Sequence, residues 1–249
     1  MPEPAPARSP HRAAHDRHVV VVAGGDAPDR AALDAAWPGW DDAVAAVIAA
    51  DSGLATATAL GLHSTLVVGD LDSADPAAVA RAEADGAAIQ RFRAAKDESD
   101  TELALVEAVR AGATRVTVLG AFGGPRLDHT LANVGLLAHP AAAGVPVVLL
   151  DAHARVSLLT APGPDGGPVD RPLPGPVGRT VSLLPLAADV AGVTTTGFRY
   201  PLRDEPLPAG PARGLSNVRE TPDAGVTVRH GRLLVIEIAQ DEPGLSSGS

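Results

Sequence analysis

Two short acidic segments stand out in this chain. Leu66 to Val68 runs straight into Gly69-Asp70-Leu71-Asp72-Ser73, and Lys96-Asp97-Glu98-Ser99-Asp100-Thr101-Glu102 opens an apolar-periodic stretch. In an extended segment, residues two apart point to the same side, so Asp70 and Asp72 are expected to face one ligand. A hard divalent cation is often held by one or two carboxylates together with substrate phosphates, and a second acidic pair, Asp97 and Asp100, adds to such a site. Lys96 can pair with these acids or meet a phosphate. Local structure also accounts for the same residues. An Asx turn, with Ser73 or Asp75 capping the helix after Pro76, covers the first pair. Ser99 and Glu102 have the spacing of a capping box, and acids at a helix entrance complement its dipole.

Three further clusters can carry chemistry. The loop Gly120-Ala121-Phe122-Gly123-Gly124-Pro125-Arg126-Leu127-Asp128-His129 follows the strand-like Arg115 to Leu119 and precedes a helix. Such a loop lets backbone N–H groups approach phosphate oxygens, although no Gly-Lys-Ser/Thr or G-x-G-x-x-G pattern is present. Arg126 can clamp a phosphate; Asp128 can be a helix cap and His129 a first-turn residue. Asp51-Ser52-Gly53 closes another apolar run, as a turn or as part of a nucleotide or metal site. Finally, Tyr200, the one tyrosine in the chain, offers a face for a flat heterocycle, with Ser216 and Asn217 as hydrogen-bonding neighbours. A core aromatic and a turn is the plainer reading of those residues.

These clusters need elements to position them. Apolar runs at His18 to Ala23, Asp42 to Ala50, Thr65 to Val68, Arg115 to Leu119 and Val145 to Leu150 alternate with helical segments, the clearest being Ser99 to Ala111. Continuous apolar strands, each followed by a helix, predict a mostly parallel sheet with helices on both faces. Ligands of such sheets bind at the carboxyl ends of the strands, where the acids and glycines recur. After Asp151 the pattern becomes short strands without helices, which predicts a C-terminal antiparallel β-sandwich domain. The expected division is a disordered tail over 1–17, an α/β domain over 18–152, a β-sandwich over 153–240 and a disordered tail over 241–249. Residues 160–178, rich in Pro and Gly, are expected to form a loop or linker, and His230-Gly231-Arg232 a tight turn between the last two strands.

Bulk properties narrow the function. The chain has 249 residues, enough for a substantial core, and 45% of them are hydrophobic but only 2% aromatic, so the core is built from Ala, Val and Leu. A net charge of −10 argues against nucleic acid or anionic membranes as partners. The absence of cysteine removes disulfides and thiolate catalysis. The N-terminal stretch lacks the apolar core of a signal peptide, and no apolar run is long enough to span a bilayer, so a soluble cytoplasmic protein is expected.

Taken in order, Ala50 to Gly53, Gly69 to Ser73, Lys96 to Leu105, Gly120 to Asn133, Gly197 to Leu202, Gly214 to Asn217 and Gly231 to Ile236 resemble the motifs of the thiamine pyrophosphokinase family over about Val19 to Ile238. The resemblance implies Mg²⁺-dependent transfer of a pyrophosphoryl group from ATP to thiamine, giving thiamine diphosphate and AMP. It also implies a homodimer whose site is shared between the α/β domain of one subunit and the β-domain of the other. By motif position, Asp70, Asp72 and Asp100 match metal ligands, and with Asp97 they form the catalytic acids. Asp51, Lys96, Gly123, Gly124, Arg126, Asp128 and His129 match positions near ATP. Tyr200, Ser216 and Asn217 match the thiamine site. Two departures are visible: Ser52 stands where glycine is usual, which predicts a less permissive turn after Asp51, and Pro125 adds a residue before Arg126. A pyrophosphokinase for another heterocyclic alcohol, such as a hydroxymethylpterin, and a non-catalytic thiamine or nucleotide sensor are the competing functions.

Overall fold

The computed structural model describes residues 16–93 and 97–239. Lys96, the tail expected over 241–249 and all but the last two residues of the tail expected over 1–17 lie outside the described residues.

Six strands, β1 (His18–Val22), β2 (Val44–Ala50), β3 (Leu66–Gly69), β4 (Ala88–Arg91), β5 (Arg115–Leu119) and β6 (Val147–Leu150), pair in parallel in the order β6-β5-β1-β2-β3-β4. The apolar run of β1 has a simple cause. Val19 and Val21 enter the core shared with α4 (Asp100–Arg110) and α5 (Leu127–Leu136). Val20 and Val22 enter the opposite core, with Leu33 of α1 (Arg30–Ala36) and Ala57 of α2 (Gly53–Ala59). Each valine is fully buried, and each contributes on the order of 1.5–3 kcal/mol relative to exposure. The strand therefore has no solvated face to mark with polar residues.

Capping settles two open questions. The Asp75 side chain, not Ser73, caps α3 (Pro76–Ala84) by accepting from Ala77 N at 3.0 Å, with Pro76 in the first turn. Ser99 caps α4 by accepting from Glu102 N at 3.1 Å. The Glu102 carboxylate lies 3.2 Å from Nε2 of His139, so it ties the helix to the segment after α5.

The large sheet does not stop at the expected boundary. Antiparallel strands β7 (Ala154–Ala161), β14 (Gly231–Ile238), β9 (Thr180–Pro185) and β12 (Asn217–Val218) extend it from β6, making ten strands in one sheet. A second sheet, in the order β11 (Glu205–Leu207), β10 (Val190–Thr196), β13 (Gly225–Val228), β8 (Val169–Pro172), covers one face of that extension. Leu159, Leu183 and Leu233 of the first sheet meet Val193, Leu207 and Val226 of the second in a separate core. The expected combination of a parallel α/β unit with a C-terminal antiparallel sandwich is thus present, with one sheet shared between them.

Two local expectations need correction. Residues 160–178 are not wholly irregular: they contain the end of β7 and all of β8, which pairs with β13. β8 lies at the edge of its sheet, where the missing N–H of Pro172 costs little. The tight turn between the last two strands is present but lies at Arg229-His230, with Gly231 and Arg232 already in β14. β13 and β14 lie in different sheets, so this turn passes the chain across the sandwich.

Candidate active site

The order of the parallel strands reverses at β1, which lies between β5 and β2. That is the point where an open α/β sheet leaves a crevice at its carboxyl end. Here Gly25 N donates to Gly120 O and Asp26 N to Phe122 O, both at 2.8 Å, so the loops after β1 and β5 are bound together. A Cβ at Gly25 would lie 2.3 Å from Phe122 O, and only glycine permits the approach.

A cavity of about 280 Å³ opens above this junction. Asp51, Asp70 and Asp100 converge in it: one carboxylate oxygen of each lies within 4.8 Å of the others. Each comes from a different strand-to-helix connection, after β2, after β3 and at the start of α4. Asp51 is 8% exposed, and its Oδ1 is buried with no hydrogen-bond partner among the described residues. Burial raises its pKa above the ordinary carboxylate value, and the charges of Asp100 and Asp70 push it the same way. A gathered, partly unsatisfied set of hard oxygens fits a divalent cation such as Mg²⁺.

Backbone conformation explains the gathering. Asp51 has φ +47° and Leu71 has φ +62°. The chain is therefore not extended from Asp70 to Asp72, and the two carboxylates do not stand side by side. Asp70 turns inward to the cluster, while Asp72 stays exposed at the cavity lining with Ser73 Oγ donating to it at 3.1 Å. The turn after Asp51 is not made stiffer by Ser52, because Ser52 adopts ordinary helical angles, φ −60° and ψ −17°. The position that requires glycine is the next one: a Cβ on Gly53 would lie 2.1 Å from Val22 O.

The glycine loop lines the other wall. Gly123 and Gly124 both have φ +73°. Arg126 and His129 also line the cavity, so the extra Pro125 leaves Arg126 at the site. Arg126 makes a two-pronged ion pair with Asp128, Nε to Oδ1 at 2.9 Å and Nη2 to Oδ2 at 2.5 Å. The guanidinium holds the Asp128 carboxyl at about 2. Asp97 is exposed ahead of Ser99 and does not line the cavity; Lys96 is outside the described residues.

Two residues given no role from sequence shape this wall. Asp26 Oδ1 accepts from Gly124 N at 2.9 Å, pinning the loop. Buried Asn133 donates from Nδ2 to Ala121 O at 2.8 Å and lines the cavity. The Gly-Gly-Asp break after the first strand and the final Asn of the glycine-loop motif were the available signals.

The Tyr200 region forms a separate, smaller cavity of about 100 Å³, lined also by Arg213, Leu215 and Asn217. Tyr200 is 58% exposed, so its ring is presented outward. The Asn217 amide is used to hold it: Oδ1 accepts from Tyr200 N at 3.0 Å and Nδ2 donates to Tyr200 O at 2.8 Å. Ser216 is exposed between Leu215 and Asn217, with φ +54° and its N–H donated to Ser182 Oγ at 3.0 Å. The two cavities share no lining residue.

Comparison with known proteins agrees across the chain. Residues 40–149 match the family model described as thiamin pyrophosphokinase, catalytic domain, and residues 171–234 match thiamin pyrophosphokinase, vitamin B1 binding domain. Thiamine pyrophosphokinase of Bacillus subtilis is 29% identical over 179 residues, 72% of this chain and 80% of that protein. The crystal structure of thiamine pyrophosphokinase from Bacillus subtilis superposes with a TM-score of 0.75 at 25% identity, covering 90% of this chain and all of that one. A thiamin pyrophosphokinase family protein from Enterococcus faecalis gives 0.72 at 26% identity, covering 91% and 100%.

Proposed function

This chain belongs to the thiamin pyrophosphokinase family, a family of enzymes, and we propose that it transfers the terminal pyrophosphoryl group of ATP to thiamine with the help of Mg²⁺. The observation that carries this reading is the convergence of Asp51, Asp70 and Asp100 at the sheet's switch point, with a buried Asp51 oxygen left unpartnered among the described residues.

In the proposed reaction the hydroxyethyl oxygen of thiamine bonds to the β-phosphorus of ATP. The bond from that phosphorus to the α–β bridging oxygen breaks, AMP leaves, and thiamine diphosphate forms. Such transfers depend on positioning and charge stabilisation rather than on a covalent nucleophile, which suits a chain without cysteine. Asp51, Asp70 and Asp100 would hold Mg²⁺, which would supply positive charge to offset that of the phosphates. The Gly123-Gly124 loop brings backbone N–H groups to the phosphates, and Arg126 exchanges part of its pairing with Asp128 for a phosphate oxygen. In this proposal Asp72, exposed and lining the cavity beside the cluster, takes the hydroxyl proton. His129, which lines the cavity, completes the polar surround.

Tyr200 stacks on the flat ring of thiamine, and Asn217 and Ser216 set its position. We further propose that two copies of the chain complete the site, the acidic cavity of one facing the Tyr200 pocket of the other. Exposed apolar side chains support this. Leu127 and Leu131, 71% and 64% exposed, lie on α5, the helix that gives His129 and Thr130 to the acidic cavity, and Leu215 at 46% lines the Tyr200 pocket. The test is a product assay with thiamine, ATP and Mg²⁺. AMP and thiamine diphosphate in equal amounts are the expected products; ADP as the nucleotide product would contradict the reading.

A further inference from the structure

A further cavity is distinct from both of these. It measures about 660 Å³ and lies where the sheet passes from β6 to β7 and β14, between the end of α1 and the Pro174-Gly175-Pro176 segment. Its volume falls in the range of small-molecule sites. Its charge runs against that of the chain, which carries −10 overall. Arg115, Arg155, Arg179 and Arg219 line it against a single carboxylate, Glu237.

The pairing leaves positive charge over. Glu237 Oε1 accepts from Nε and Nη2 of Arg155 at 2.8 and 2.6 Å, and its Oε2 accepts from Nη2 of Arg219 at 2.8 Å. Arg115 lies 3.5 Å from Asp16. Arg179 donates from Nη1 to Ala36 O at 3.2 Å, so Arg155, Arg179 and Arg219 line the cavity with one carboxylate among them, a surplus of two positive charges. Arg219 is 1% exposed, and its Nε has no hydrogen-bond partner among the described residues. A buried guanidinium donor facing no acceptor is costly unless a ligand supplies one. Arg155 and Arg179 are held in place against the Trp37 ring, at 5.2 and 5.5 Å from its centre.

We propose that this cavity is a second ligand site, which binds a small phosphate-bearing molecule carrying at least two negative charges. Planar guanidinium forks match phosphate oxygens, and two or more ligand charges balance the surplus. Inorganic pyrophosphate, ADP and thiamine diphosphate share this chemistry and are the probes that distinguish its source.

Trp37 and Trp40 both line the cavity and are the chain's two tryptophans, so intrinsic tryptophan emission reports on it. The full chain is titrated with each probe in EDTA, which keeps a divalent ion out of the acidic cavity. A saturable emission change with at least one probe is expected, and the tightest probe names the source. Asp100→Asn should leave the titration unchanged, which separates it from events at the acidic cavity. Arg179→Ala should weaken the apparent affinity at least 10-fold and leave AMP formation intact. If that variant loses near-UV circular dichroism, Arg179→Gln, which can keep a hydrogen bond to Ala36 O, takes its place. No emission change with any probe up to millimolar concentration would overturn the proposal, as would a variant that titrates like the parent. An emission change that follows protein concentration and not the probes would overturn it too, and would make the cavity an interface between copies.

Discussion

The acidic cavity and the Tyr200 pocket differ in how nearly finished each is within one chain. In the first, three loops from separate strands hold Asp51, Asp70 and Asp100 together before any ligand arrives, at the expense of left-handed conformations at Asp51 and Leu71 and a buried oxygen without a partner among the described residues. In the second, Asn217 fixes the Tyr200 backbone, but the ring stands more than half exposed over a shallow cavity. One region is a preformed charge trap. The other is a platform awaiting a cover. On the proposed function, the difference puts the chemistry in the α/β part and leaves acceptor recognition to whatever closes over Tyr200.

If the acids are the chemical centre, Asp70→Asn or Asp100→Asn should reduce kcat for AMP formation by about 10²–10³-fold, the usual loss on removing one preorganised electrostatic group. Circular dichroism should stay unchanged. A loss under tenfold in both variants would break the comparison at its stronger side. On the platform side, Tyr200→Ala should raise KM for thiamine about 10-fold, matching the 1–1.5 kcal/mol of one aromatic contact, with kcat little altered. An equal fall in kcat would mean that the ring also orients the reacting oxygen. Arg126→Ala should raise KM for ATP about fivefold, a smaller effect because the exposed guanidinium must first leave Asp128.

The smallest effect concerns stability. Burial, with Asp100 and Asp70 adding to it, raises the Asp51 pKa above its ordinary 3.8 in the folded chain. Between those two values the folded state binds more protons than the unfolded state, so stability falls as pH rises through that window. Above it the full cost of the charged, buried carboxylate is present. Asp51→Asn should therefore raise the Tm of the metal-free protein at pH 7 by about 2–4 °C, the shift for about 1 kcal/mol in a chain of this size. The gain should vanish below about pH 4, where Asp51 is protonated in both states. Calorimetry in EDTA measures both, and a lower Tm at pH 7 would show the cluster to be structural support.

Much of the α/β part was legible because its central strands are largely buried on both faces and end at turn residues. Arg115 to Leu119 and Ser99 to Ala111 illustrate this, the second with its cap at Ser99. The participation of Asp70 and Asp100 followed from their place at strand ends. The participation of Asp51 in the same cluster, and the separation of Asp72 from Asp70, depend on left-handed backbone at Asp51 and Leu71; neither residue type demands that conformation. Asp26 was illegible for a similar reason, since its partner Gly124 is 98 residues away. In the antiparallel part, β11 and β12 have three and two residues, too few for alternation to show. β7 was hidden by polar and apolar residues mixed on a strand that pairs on both sides. The arginine-lined cavity draws residues from α1, β5, β7, β14 and the sandwich loops, and no spacing in the sequence brings them together.

The most direct test of the account mixes two impaired chains. Asp100→Asn spoils the acidic cavity and Tyr200→Ala, assayed at thiamine concentrations far below its raised KM, spoils the platform. If each site joins the cavity of one copy to the platform of another, equal mixing after dissociation and reassociation should restore about a quarter of parental activity, because half of the dimers are mixed and each holds one intact site. Activity no greater than the average of the two variants, in a sample where differently tagged chains co-purify, would contradict the shared site.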